Sequence, residues 1–251
     1  MFNRSMMKQS AKDKLLKPQS GFLGASLVYT ALTFVIFQLV ARLSGYAAYV
    51  SSYYSAMLNA ASTEADFASV VWPTVSPIAY VLSGVLALLN VALATGFKWY
   101  CLRLSRRLSS KIKNLFDFFE YFLSVILLSL LKTVLVLLAG CLLLVPGVVL
   151  YYRYSFAEYV LSDHPEYGIV RCLKESARLT KGHKWELLVL DLSFLGWYLL
   201  RYLTDNLLGV WVTPYEYGTK CEYYNLLSGW TPAAASSQEG PWKPGDQGGQ
   251  Q

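Results

Sequence analysis

Two ionisable side chains sit where water should be scarce. Lys132 interrupts the apolar run LLSLLKTVLVLL, and Asp191 interrupts WELLVLDLSFLGW. An ionised group at bilayer depth is costly unless it is paired or hydrated, so each marks a functional candidate. One expectation is a Lys132–Asp191 ion pair lining a polar pathway. The other is an interhelical structural pair for Lys132, with Asp191 snorkelling to a nearby membrane edge. Arg153, set among Tyr151, Tyr152 and Tyr154, offers either a forked donor for a lipid phosphate or an interfacial anchor stacked on aromatic rings. Arg103, Arg106 and Arg107 belong to a stretch, Lys98–Asn114, that also holds Lys98, Lys111 and Lys113 and contains no acid. They are headgroup candidates for anionic lipid.

Other chemistry is poorly provided for. His164 and His183 have no acid or Cys at metal-ligand spacing, so no metal is expected. Ser193 lacks a GxSxG setting or a neighbouring base. Walker, Rossmann and HExxH patterns are absent from the sequence, and no enzymatic activity or cofactor is expected. Cys101, Cys141, Cys172 and Cys221 form no CxxC and read as reduced core or interface residues.

These residues need membrane elements to position them. Of 251 residues, 55% are hydrophobic and 15% charged, with a mean hydropathy of +0.35. Soluble domains carry about a quarter charged residues, and here the deficit falls in blocks, as membrane spans do. The formal charge of +6 sits beside those blocks. It therefore points to cytoplasmic retention and anionic lipid, with no nucleic-acid partner expected.

Residues 1–20 form a basic N-terminus that stays cytoplasmic by the positive-inside rule. No cleaved signal peptide is expected, since the first apolar run is long and lacks a small-residue cleavage site. Spans are expected at about 21–42 and 78–97. Between them lies an extracytoplasmic loop, Ser44–Pro77, whose Tyr46, Tyr49, Tyr53 and Tyr54 suit a short interfacial helix. The basic Lys98–Asn114 loop then lies inside, as a helix resting on headgroups or as a plain retention signal.

From Phe118 to Leu161 the chain is too apolar and too long for one crossing. Pro146–Gly147 divides it, because proline disfavours a helix interior and glycine tolerates a turn. A third span near 121–145 and a return segment that crosses or deeply re-enters follow; one kinked crossing is the alternative. Asp163–His164–Pro165–Glu166 reads as a helix start. Ile169, Leu173, Ser176 and Thr180 recur at helical spacing on a cytoplasmic amphipathic helix that stops at Gly182. Spans at about 185–202 and 207–227 form a hairpin around Thr204–Asp205–Asn206, with Pro214 kinking the last. Ser193, Gly196 and Trp197 share one turn suited to close packing. The tail 230–251 is rich in Pro, Gly, Ser and Gln and is expected to be disordered.

The blocks LLLVPG, YRYSFAEYVLSDHPEYG, ESARLTKGHKWELLVLDLSFLGWYLL and VTPYEYGTKCEYY, in that order, resemble the DUF975 family of bacterial integral membrane proteins. The resemblance runs from about Leu93 to Leu227. It falls on Pro146, Gly147, Tyr154, Asp163, Pro165, Gly182, Ser193, Gly196, Trp197, Pro214 and Tyr215, which it implies to be structural. It departs at Leu179-Thr180, where the family has Leu-Met, and it imports no reaction.

The resulting expectation is an all-α, polytopic transmembrane bundle of about six membrane segments over 21–229. It would lie in the bacterial cytoplasmic membrane with both termini cytoplasmic. Its expected role is that of a non-enzymatic envelope-associated scaffold or accessory protein acting through anionic lipid, a membrane-protein partner or its own copies. The alternative is a small-solute transporter using a polar intramembrane pathway.

Overall fold

A computed structural model describes residues 4–15, 22–60, 74–106, 108, 112–204 and 208–230. The candidate Arg107, the turn at Asp205–Asn206 and the tail from 231 onward lie outside them. The described residues are all-helical, with no strand among them. In order they are α1 (Arg4–Leu15), α2 (Phe22–Leu43), α3 (Tyr46–Ala60), α4 (Pro77–Ser105), a 3-10 helix (Ile112–Tyr121), α5 (Phe122–Leu142), α6 (Leu144–Arg153), α7 (Ala157–Asp163), α8 (Ile169–Leu179), α9 (Lys184–Leu192), α10 (Leu195–Leu203) and α11 (Gly209–Ser228). Among the described residues, three stretches are long and apolar enough to cross a membrane: Gly24–Leu43, Pro77–Ser105 and Ile112–Leu142.

The chain divides into two compact units. The smaller, Ala31–Val91, holds α3, the later part of α2 and the first turns of α4. In α3, Ser51 and Ser52 both return their hydroxyls to the Ala48 carbonyl, and Tyr53 meets Tyr54 edge to face. The tyrosine-rich stretch is therefore a helix, as expected.

The larger unit, Met1–Thr30 with Ala92–Gln251, contains the charged side chains of interest. Its core gathers aromatic rings from several helices. Phe97 of α4 stacks on Tyr29 of α2 at 4.3 Å, and Phe156 packs on Tyr223 and Tyr224 of α11. Gly96 exists for the 3-10 helix, because a Cβ there would lie 2.3 Å from the Leu115 carbonyl oxygen.

Several local expectations are corrected. The basic stretch after Lys98 is not a separate surface helix: α4 continues through it to Ser105. The hairpin after α5 does not turn at Pro146–Gly147. The break is at Leu143, which is extended (φ −157°, ψ 140°), and Pro146 sits in the first turn of α6, where a missing N–H costs nothing. Gly147 instead permits close packing, since a Cβ would stand 2.7 Å from Gly140 Cα across the α5–α6 hairpin. Asp163 does not open a helix but ends α7, and α8 begins after Gly168 with no side-chain cap. Gly182 does stop the segment, at φ +88°.

The expected span at 185–202 is interrupted at Ser193–Phe194, between α9 and α10. Ser193 and Gly196 are exposed, a Cβ on Gly196 would meet nothing within 4 Å, and Trp197 is 46% exposed. Those three residues are therefore exposed among the described residues, whereas close helix packing was expected of them. Pro214 lies inside α11, where it cannot donate to the Val210 carbonyl. The Ser26 hydroxyl of α2 donates to that carbonyl instead.

Candidate functional site

The short helix α7 is the centre of the charged core: all seven of its residues are buried, and both of its acids face cations. Asp163 receives both terminal nitrogens of the Arg106 guanidinium at 2.7 Å, a bidentate geometry that suits a planar fork. The Tyr224 hydroxyl donates to the same carboxylate at 2.8 Å. Arg106 Nε donates to Asn225 Oδ1 at 2.9 Å, and Asn225 donates onward to Ser105 Oγ at 2.8 Å. Ser105 then donates to Glu222 at 2.6 Å. The rings of Tyr224 and Trp230 lie 5.9 and 5.5 Å from the guanidinium carbon.

One turn earlier, Glu158 accepts from Lys98 and, at 2.7 Å, from Lys132. Its backbone carbonyl accepts from Trp99 Nε1 at 3.0 Å. Lys98 and Arg106 thus meet Glu158 and Asp163 in the same chain order, so α4 and α7 run parallel here. α11 follows the same direction, with Tyr217 beside Phe97, Cys221 beside the Lys98 carbonyl and Asn225 beside Arg106. A third cluster joins Lys220 to Asp191 at 3.1 Å and to Glu216 at 2.8 Å.

The expected Lys132–Asp191 pair therefore does not form. Lys132 on α5 faces α7, and Asp191 on α9 faces α11, so each finds a nearer opposite charge. Arg103 and Arg106 are also corrected as headgroup ligands. Both are buried, and Arg103 pairs with Asp117 of the 3-10 helix at 2.7 Å, because α4 carries them into the core. Arg153 is exposed, 5.9 Å from the Tyr154 ring. Tyr215 meets Phe194 edge to face at 5.2 Å, and Pro165 lies in the turn after α7. His164 contacts Glu166 and His183 contacts Glu186.

Both interrupted helices have their loose backbone groups attended by another element. Between α6 and α7, the Phe156 N–H donates to Ser176 Oγ at 3.2 Å. The Arg153 carbonyl accepts from Ser176 and Thr180 at 3.0 and 3.1 Å. Ser176 and Thr180 are 0% exposed, so the inner face of the amphipathic α8 is occupied by protein. Its outer face carries the Glu175–Arg178 pair, where the hydrogen bonds from Arg178 hold the Glu175 carboxyl below the ordinary range. At the second break, Lys8 of α1 lies 3.5 Å from the Ser193 carbonyl oxygen and 4.3 Å above the Phe194 ring.

Ser176→Ala should leave the Phe156 N–H and one lone pair of the Arg153 carbonyl short of a partner, at a cost of about 1–3 kcal/mol. Faster amide exchange at Phe156 would register that loss. Unchanged protection there would show that α8 does not hold the break.

Sequence reasoning missed Glu158, Glu216 and Lys220. The signal was present, since each is an ionisable residue in an apolar or aromatic stretch, the same feature that marked Lys132 and Asp191. A polar cavity of about 260 Å³ borders the first cluster, between Asp163, His164, Tyr167, Arg178 and Trp230. A second, apolar one of about 570 Å³ opens between α5 and α6.

Residues 141–230 match the family model DUF975, described as a protein of unknown function. Over that stretch the chain is similar to DUF975 proteins. The matched segment carries α6 to α11 and so supplies Glu158, Asp163, Asp191 and Lys220, while their partners Lys98, Arg106 and Lys132 precede it. The matched segment also holds both interrupted helices and the α8 residues that attend the first break. No curated protein and no solved structure matches the chain.

Proposed function

We propose that the chain is a non-enzymatic, multi-pass protein of the bacterial cytoplasmic membrane, with about six membrane segments and both termini cytoplasmic. It acts as an envelope-associated scaffold or accessory protein through lipid or protein contacts. The observation that carries this reading is the mutual neutralisation of the buried charges, above all the bidentate Arg106–Asp163 pair. Such pairs brace helices against one another, while the apolar exterior is left to make the contacts. The shared direction of α4, α7 and α11 supports the topology, because it brings the basic stretch after Lys98, the α8 region and the end of α11 to one side.

Mass spectrometry of proteins and lipids retained with the chain in native nanodiscs tests the proposal. A reproducible partner or lipid class is the expected result, and recovery of the chain with neither would overturn it. A second reading, small-solute transport, draws on the two interrupted helices beside Glu158 and Asp191, an arrangement that serves substrate sites in transporters. Asp191→Asn would separate the two. Loss of solute movement at unchanged folded yield favours transport, whereas loss of folded protein favours a brace.

A further inference from the structure

The groove between α5 and α6 lies apart from the Asp163 and Glu158 clusters and meets the third only at Tyr152, which is hydrogen-bonded to Asp191. Its walls run from Val136 and Leu137 past Gly140 and Cys141 to Val148 and Tyr152, and it encloses about 570 Å³, within the size range of ligand pockets. Two glycines shape it in opposite ways. Gly147 is the point where the helices touch, but a Cβ on Gly140 would meet nothing within 4 Å, so that side of α5 faces open groove. At the tip, Leu142 is 80% and Leu144 79% exposed, and no charged side chain occurs between Thr133 and Tyr152.

Depth identifies what can fill such a groove, resting on the membrane reading proposed above. α4 carries twenty apolar-rich residues, Ile78–Phe97, before Lys98, about 30 Å at 1.5 Å each and the thickness of the hydrocarbon layer. Lys98 therefore marks the cytoplasmic interface, and its partner Glu158 lies within a side-chain length of it. The fourteen residues Leu144–Ala157 extend at most about 21 Å beyond Glu158, so the hairpin tip ends inside the hydrocarbon. Arg153 is only five residues from Glu158, about 7 Å. That exposed guanidinium can reach cytoplasmic-leaflet phosphates, and it stands next to Tyr152 at the foot of the groove.

We propose that the α5–α6 groove is a phospholipid site. One acyl chain of a cytoplasmic-leaflet anionic phospholipid lies along Gly140, Cys141 and Val148, and its phosphate is held by Arg153. The apolar walls receive the chain, the open face of Gly140 makes room for it, and the fork of Arg153 pairs with a phosphate oxygen more closely than a point charge does.

The test is native mass spectrometry of the full chain released from phosphatidylglycerol nanodiscs. The wild type should retain one phosphatidylglycerol per chain, and both Gly140→Leu, which fills the groove, and Arg153→Gln should lower that adduct at least tenfold. Alkylating the wild type after folding with N-cyclohexylmaleimide gives a check that does not depend on refolding. Cys141 is exposed and the other three cysteines are buried, so modification at Cys141 should displace the lipid. An adduct that survives Gly140→Leu or full Cys141 alkylation overturns the site. A doubled protein mass lost in Gly140→Leu overturns it in favour of a second copy of the chain. Extraction of the chain from membranes by alkaline carbonate would overturn the membrane reading itself, a result distinct from loss of the groove alone.

Discussion

Asp163→Ala is expected to destabilise the fold by about 3–5 kcal/mol, the usual cost of removing one partner from a buried ion pair. The reason is the position of Arg106. Its side chain is 2% exposed, so it cannot turn to water once its counterion is gone. Tyr224 also loses the acceptor for its hydroxyl. Thermal unfolding of the detergent-solubilised protein measures the effect, and a midpoint equal to that of the wild type would mean that the cluster does not brace the helices. Replacing both partners, Arg106→Met with Asp163→Leu, should recover much of the loss, because a buried ion pair exchanged for apolar side chains is often close to neutral. Recovery should be incomplete, since Asn225 Oδ1 and the Tyr224 hydroxyl keep no partner from the pair.

Glu158→Ala should be the second most damaging change, at about 3 kcal/mol or more. One carboxylate there serves two ammonium groups, Lys98 and Lys132, and its removal leaves like charges facing each other. The lysines are 20% and 17% exposed, so each can partly relax toward the surface, which is why the loss should be smaller than at Asp163. A double-mutant cycle with Lys132→Met should show a coupling energy of about 0.5–3 kcal/mol, as for directly contacting residues. Strict additivity would mean that Lys132 and Glu158 do not act on each other.

These two sites also show where reading the chain alone succeeded and where it stopped. Helices α2, α4 and α5 were legible because a long apolar run is a local property, and so were the helical spacing of α8 and its stop at Gly182. The DUF975 blocks were legible for the same reason. The interruption at Ser193–Phe194 was hidden, because its neighbours are as apolar as any helix interior and nothing in composition marks the turn. The break before Phe156 was hidden too, since what makes it tolerable is a pair of hydroxyls twenty or more residues away.

By itself the sequence determined the helical class, the length and apolarity of the candidate spans, and the presence of ionisable residues that require partners. Partner choice came only from the tertiary structure. Lys132 and Asp191 are both local anomalies, and their opposite charges made them an obvious pair. Pairing in a core, however, depends on which helix faces overlap, and the carboxylate of Glu158, which the fold brings against Lys132, wins over one that merely has the right sign. Arg103 and Arg106 followed the same logic. A run of cations without acids reads as a surface, until α4 is seen to carry it inward to Asp117 and Asp163, because Coulomb attraction strengthens as water is excluded.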